Sequence, residues 1–215
     1  MDRVVAVVNN QAILKSDVDW QVRLAVLEPG TGTEQALRPQ QALDQLISRE
    51  LIEQAMRRED SHHTEPGPEQ VEARVKEMRH DLPACARRCV SDEGWAGFLA
   101  EHALTEARVE NYVRERIEVL AFIEQRFRQG IRVTTEETEN YYKRTLLPQY
   151  APGAEIPPIE KVAPRIEEIL LQQRVNALFE EWLRSLRLQG EIEVLDPALE
   201  SPQEAGQTPG GGEGQ

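Results

Sequence analysis

The feature that most constrains this chain is the spacing of its apolar residues. From Val18 to Leu186 they recur at intervals of three and four, the period of a helix that buries one face. Val18, Val22 and Ala25 open the pattern, and Pro29, Gly30 and Gly32 break it. Pro39 opens a second helix, where a missing N–H costs nothing, with Leu43, Leu46, Ile47, Leu51 and Ala55 along one side. Residues 59–67, with His62, His63 and Pro66, read as a loop. Pro68 then starts a third helix through Val71, Val75, Met78 and Leu82. Ser91 starts a short fourth with Trp95, Phe98 and Leu99 on its apolar side. Thr105 caps a longer fifth, whose stripe of Val109, Tyr112, Val113, Ile117, Leu120, Ile123 and Phe127 runs to Gly130, a C-cap. Thr134-Thr135-Glu136-Glu137 begins another, followed by Tyr141 and Tyr142. The longest runs from Ile159 or Pro164 to Leu188 and stops at Gly190.

Strand signals sit only at the two ends. Val4–Val8 and Ala12–Leu14 flank Asn9-Asn10-Gln11, a hairpin in which Asn tolerates the left-handed backbone of a tight turn. Ser16 follows as a helix N-cap, with Asp19 three residues on. Glu191-Ile192-Glu193-Val194-Leu195 alternates like a half-buried strand, and pairing it with the hairpin would close the chain on itself. From Pro197 onward Glu, Gln, Pro and Gly take over, and such a composition predicts disorder. The fold class is therefore mainly α, a helical core with a small N-terminal β-hairpin joined by a C-terminal strand.

Charge narrows the functions. The formal net charge is −13, against nucleic acid, whose phosphates need clustered Lys and Arg, and against anionic membrane surfaces. No apolar run reaches the length of a membrane span, so no membrane insertion is expected. Aromatics are 5%, too few for a base-stacking platform. None of the four His lies in a catalytic motif, and Gly30 and Gly32 lack the strand and Lys of a phosphate loop. The carboxylate pairs Glu136-Glu137, Glu167-Glu168 and Glu180-Glu181 read as wet helix faces. No catalytic residue, cofactor or metal is assigned. Cys85 and Cys89 lie four apart, and a helical turn brings such positions to about 6 Å at Cα, inside disulfide range. A local disulfide, unpaired thiols and a metal site are all open from the residues alone.

The order of these segments resembles a known family. Asp2-Arg3-Val4-Val5-Ala6-Val7-Val8-Asn9-Asn10-Gln11-Ala12-Ile13, then Ser16-Asp17-Val18-Asp19, is similar to the start of mature SurA-like periplasmic chaperones. Ala42–Ile52 resembles that family's second-helix signature. Arg132–Glu137 with Tyr141-Tyr142 resembles the end of its N-terminal module, and residues 166–195, with Glu180-Glu181-Trp182-Leu183, its C-terminal helix and strand. The likeness spans residues 2–195. The family places a parvulin prolyl-isomerase domain between those two parts, whereas here only 146–158 fills the gap, so isomerase activity is not carried over.

The resemblance implies a hairpin and helical chaperone module over 1–147, a connector over 148–158, a long helix and strand over 159–195 that pack on the module, and a disordered tail over 196–215. It implies a non-catalytic holdase for unfolded or extended polypeptides such as outer-membrane-protein precursors. The compartment implied is the periplasm, with the export signal removed, where a Cys85–Cys89 disulfide would be at home. The expected client groove involves Trp95, Phe98, Tyr112, Phe122, Tyr141, Tyr142 and Tyr150. The alternatives are a non-catalytic interaction module for a dedicated envelope partner, including a swapped homodimer, and residual prolyl isomerisation.

Overall fold

A computed structural model describes residues 2–28, 37–59, 65–83, 85–151, 153 and 156–200. The expectations for Pro29-Gly30, Gly32, His62-His63, Pro152 and the tail from residue 201 lie outside the described residues. The elements are β1 (Val4–Val8), β2 (Gln11–Leu14), α1 (Lys15–Leu24), α2 (Pro39–Arg58), α3 (Pro68–Asp81), α4 (Asp92–Glu101), α5 (Glu106–Arg128), α6 (Thr135–Tyr141), α7 (Ile159–Gln189) and β3 (Ile192–Val194). The architecture is mainly α with one small antiparallel sheet, ordered β2-β1-β3.

The chain divides into two compact units, Met1–Val119 with Leu186–Gln215, and Leu120–Ser185. The divisions fall inside α5 and α7, not at residues 147 and 159. Helical periodicity runs unbroken through both points, so the sequence carries no punctuation there.

In the first unit the hairpin turns at Asn9, which takes φ +56°. Strand β1 pairs with β2 on one side and β3 on the other, Ala6 facing Val194 and Val8 facing Ile192. The terminal strand thus joins the hairpin. Val5, Ala6 and Val8 are fully buried, and α2, whose Leu43, Ile47 and Leu51 are buried, packs on the sheet. A larger apolar cluster gathers α3, α4 and the first half of α5 around Phe98, Val109 and the Cys85–Cys89 disulfide, with Leu24 and Leu27 beside it. That disulfide selects one of the three readings left open above.

Helix starts follow their local chemistry. Ser91 accepts from the Gly94 N–H (3.1 Å) and Thr105 from the Arg108 N–H (3.3 Å). Thr134 and Glu137 form a reciprocal capping box. Gly130, past the end of α5, takes φ +94°. Two expectations are corrected. Helix α1 begins at Lys15, one residue before the expected cap: Asp17 accepts from the Leu14 N–H (2.9 Å) and so fixes the start. The ordered chain also continues past residue 196. Asp196 pairs with Arg3 (2.6 Å), Pro197–Leu199 forms a 3-10 turn, and Leu199 is buried, because this turn returns an apolar side chain to the core.

Candidate functional site

The second unit is built from the end of α5, α6, the turns after it, and most of α7. Over its 120–185 span only Phe122, Thr138, Ile166 and Val175 are buried among the described residues. Ile123, Phe127, Leu146, Leu147, Leu170, Leu171, Phe179, Trp182 and Leu183 are half-buried, and Leu120 and Leu178 are exposed at 53% and 42%. Folded interiors bury side chains of this type. This unit thus has a small closed core and many partly wet apolar groups, the kind of surface a binding role would use.

Its centre is an aromatic cluster. Phe122 and Phe127 on α5 meet Trp182 on α7 at ring-centroid distances of 5.7 and 5.5 Å, and Phe179 sits 6.1 Å from Trp182. The guanidinium of Arg126 lies 5.0 Å from the Trp182 ring and 5.5 Å from Phe127, a cation stacked on aromatic faces. Ion pairs fix the surrounding helices. Arg128 bonds Glu124 (2.8 Å) and Glu168 (3.3 Å), and Arg174 binds Glu137. Hydrogen bonds from the Thr134 backbone and hydroxyl, with Arg174 adding its charge, hold the Glu137 carboxyl below its ordinary pKa. The Tyr142 hydroxyl donates to the Pro157 carbonyl (2.8 Å), tying the end of α6 to the segment before α7.

The seven expected groove residues are not brought together. Trp95, Phe98 and Tyr112 belong to the core of the first unit. Trp95 stacks on Phe98 at 5.7 Å, and Tyr112 donates to Glu28 (3.2 Å). Helices α3, α4 and α5 close over most of their surface, and only small parts of Trp95 and Tyr112 line depressions of the first unit. Phe122 is likewise buried, in the second unit. Only Tyr141, Tyr142 and Tyr150 are half-buried, all in the second unit. What the residue-type reading missed is Phe127, Phe179 and Trp182. The available signal was the crowding of Leu170, Leu171, Leu178, Phe179, Trp182 and Leu183 on α7, broader than a single buried stripe.

Two depressions among the described residues lie in the first unit. A groove of about 800 Å³ among α3, α4 and the start of α5 has Val75, Trp95 and Leu99 at its base, with Arg79 over the Trp95 ring at 5.5 Å. A smaller, polar one of about 270 Å³ lies among β2, α1, α2 and α5. There buried Gln21 bridges Gln45 (2.7 Å) and Arg49 (3.0 Å), while burial and then Glu50 and Glu115 push the Glu53 carboxyl above its ordinary pKa. Among the described residues no group of three or more His, Cys, Asp or Glu could hold a metal ion, and no helix is long and apolar enough to cross a membrane.

Compared with known proteins, the chain matches no family model, and no curated protein is significantly similar to it.

Proposed function

We propose that this protein is a SurA-type holdase that binds unfolded or extended polypeptides, such as outer-membrane-protein precursors, in the periplasm without catalysing a reaction. The observation that carries this reading is the wet apolar surface of the second unit around Phe127, Phe179 and Trp182. Apolar surface covered there by a client contributes about 25 cal/mol per Å² gross, from which association and ordering of the client subtract, so capture is expected to be reversible and broad in specificity. Rings on long helices accept many side-chain shapes, and Arg126 can stay stacked beside a bound aromatic residue. The Cys85–Cys89 disulfide supports an oxidising compartment. Tyr141, Tyr142 and Tyr150 stay within this proposal as flanking contacts, and Trp95, Phe98 and Tyr112 leave it.

The test is aggregation of a urea-denatured porin on dilution. The protein at near-stoichiometric amounts is expected to suppress the light scattering, and a folded control protein is not. Leu120→Glu with Leu178→Glu, at exposed positions, is expected to weaken suppression with unchanged helicity. Suppression by the wild type that this pair leaves intact would take the surface out of the function. No suppression at all would replace the holdase by a module for one dedicated partner, and a concentration-dependent dimer mass in light scattering would identify that partner as a second copy.

A further inference from the structure

In the first unit the sheet ends on β3, and the phase of its hydrogen bonds is fixed. The Asn9 N–H donates to the Glu191 carbonyl (2.7 Å), and the Leu195 N–H to the Val5 carbonyl (2.9 Å). Glu191, Glu193 and Leu195 therefore turn their backbone groups toward β1. Backbone groups alternate along a strand, so the N–H and C=O of Ile192 and Val194 turn the other way. Among the described residues these four groups have no partner, since β1 is the strand that pairs with β3 and no bond to Ile192 or Val194 lies on the outer side.

The side chains along this edge say what would pair with it. Ile192 and Val194 are half-buried and share a face with Val8 and Ala6, which are fully buried. Glu191 and Glu193 are exposed on the opposite face. An added antiparallel strand would place one residue opposite Glu193 in a non-hydrogen-bonded pair, with Cα atoms about 4.5 Å apart and side chains in contact. A second copy docking by two-fold symmetry would set Glu193 against Glu193, and like charges directly opposite are destabilising. The net charge of −13 opposes self-pairing further. A basic residue at that place gains a cross-strand charge pair, and apolar residues beside Ile192 and Val194 extend the buried face.

We infer that the outer edge of β3 takes up an extended polypeptide segment by strand addition, one that alternates apolar residues with Lys or Arg and sets the basic ones opposite Glu191 and Glu193. Main-chain bonds to Ile192 and Val194 supply affinity, and the two carboxylates supply selectivity. The inference rests on the holdase reading for its biological client, because strands of membrane β-barrels alternate in this way. Its chemistry stands on the edge alone.

Two nine-residue peptides, alternating Val with Lys and Val with Glu, are titrated into the ¹⁵N-labelled full chain while hydrogen exchange is followed. The Lys peptide is expected to slow exchange of the Ile192 and Val194 amides, and each cross-strand charge pair to change affinity by roughly two- to fivefold. Glu191→Lys with Glu193→Lys, both at exposed positions, should reverse the preference between the peptides. Val194→Pro removes one outward donor, leaves the bonds of β3 to β1 in place, and should abolish the protection. Equal binding of the two peptides, an unreversed preference in the Lys variant, or protection that appears without peptide as protein concentration rises would each overturn the inference. Porin suppression measured in parallel separates the readings. An unresponsive edge with intact suppression sinks the strand addition alone, and a responsive edge without suppression sinks the holdase alone.

Discussion

Two glycines on one short helix make a paired experiment whose signs are opposite. On intrinsic propensity, replacing a helical Gly by Ala stabilises by about 1 kcal/mol. Gly97, exposed on α4, has open space where a Cβ would stand, so Gly97→Ala should realise that gain. Gly94, in the first turn of the same helix, is different. A Cβ there would lie 2.0 Å from the Arg88 carbonyl oxygen, 2.8 Å from its carbon and 2.9 Å from the Arg88 Cγ. That is far inside the roughly 3.5 Å of an ordinary carbon contact, and the nearest atoms are backbone. The Arg88 carbonyl also accepts from the Ser91 N–H (3.3 Å) and hydroxyl (3.1 Å), so moving it disturbs the residue that caps α4. Overpacking costs about 1–3 kcal/mol and loss of an N-cap about 1 kcal/mol. Set against the propensity gain, Gly94→Ala should destabilise by about 2 kcal/mol. At roughly 2–4 °C per kcal/mol for a chain of this size, calorimetry should show the midpoint lowered by about 4–8 °C for Gly94→Ala and raised by about 2–4 °C for Gly97→Ala. Equal midpoints for the two variants would refute the close approach of α4 to the 86–90 turn.

Other expectations follow from single residues of both units. Replacing both Cys85 and Cys89 by Ser should cost about 2 kcal/mol from loop entropy alone, and more because both side chains are buried; urea titration against the oxidised wild type measures it. Glu53 is held above its ordinary value near 4.5 by burial, with Glu50 and Glu115 adding to it, so its charged form is disfavoured on folding. Stability from this group is therefore lost as pH rises from about 4.5 through the raised value, and Glu53→Gln should be more stable than wild type at pH 7, with the difference closing below pH 4.5. Glu137 has the opposite sign: its contribution is present above the ordinary carboxylate value and is lost as pH falls through its lowered one, a trend Glu137→Gln should erase in an acid titration of helicity. Ala103 holds φ +51° after α4, where L-residues other than Gly and Asn are strained, so Ala103→Gly should stabilise by up to about 1 kcal/mol in the same urea assay.

Much of the fold was legible because it is written in short-range chemistry. Pro39 and Pro68 open helices, Ser91, Thr105 and Thr134 cap them, and the alternation of 191–195 pairs with β1. The apolar stripes located buried faces in the first unit, where Val109, Tyr112 and Val113 are closed over. Periodicity says only that a face is apolar, not what covers it. Leu120 continues the stripe of α5 and yet stands exposed, whereas Phe122, off that stripe, is buried. The neighbours of α5 change within the helix, a tertiary fact with no local signature. The site was less legible for a related reason. Choosing aromatic residues by type selected Trp95 and Phe98, which are buried, and passed over Phe179 and Trp182, which their neighbours leave half-covered.

The sheet also sets an order of events during synthesis. Strand β1 leaves the ribosome long before its partner β3, which is made together with Asp196, the partner of Arg3, and the buried Leu199. Arg187, which bonds Asp44 (2.6 Å) and Ser48 (2.7 Å), arrives equally late. Until then β1 and β2 stand as a lone hairpin, marginal in water, with one side of β1 unpaired. The first unit therefore cannot close its sheet until β3 has been made, and a chain terminated before residue 192 would keep the α3–α4–α5 cluster while leaving the hairpin as an open template for the wrong strand.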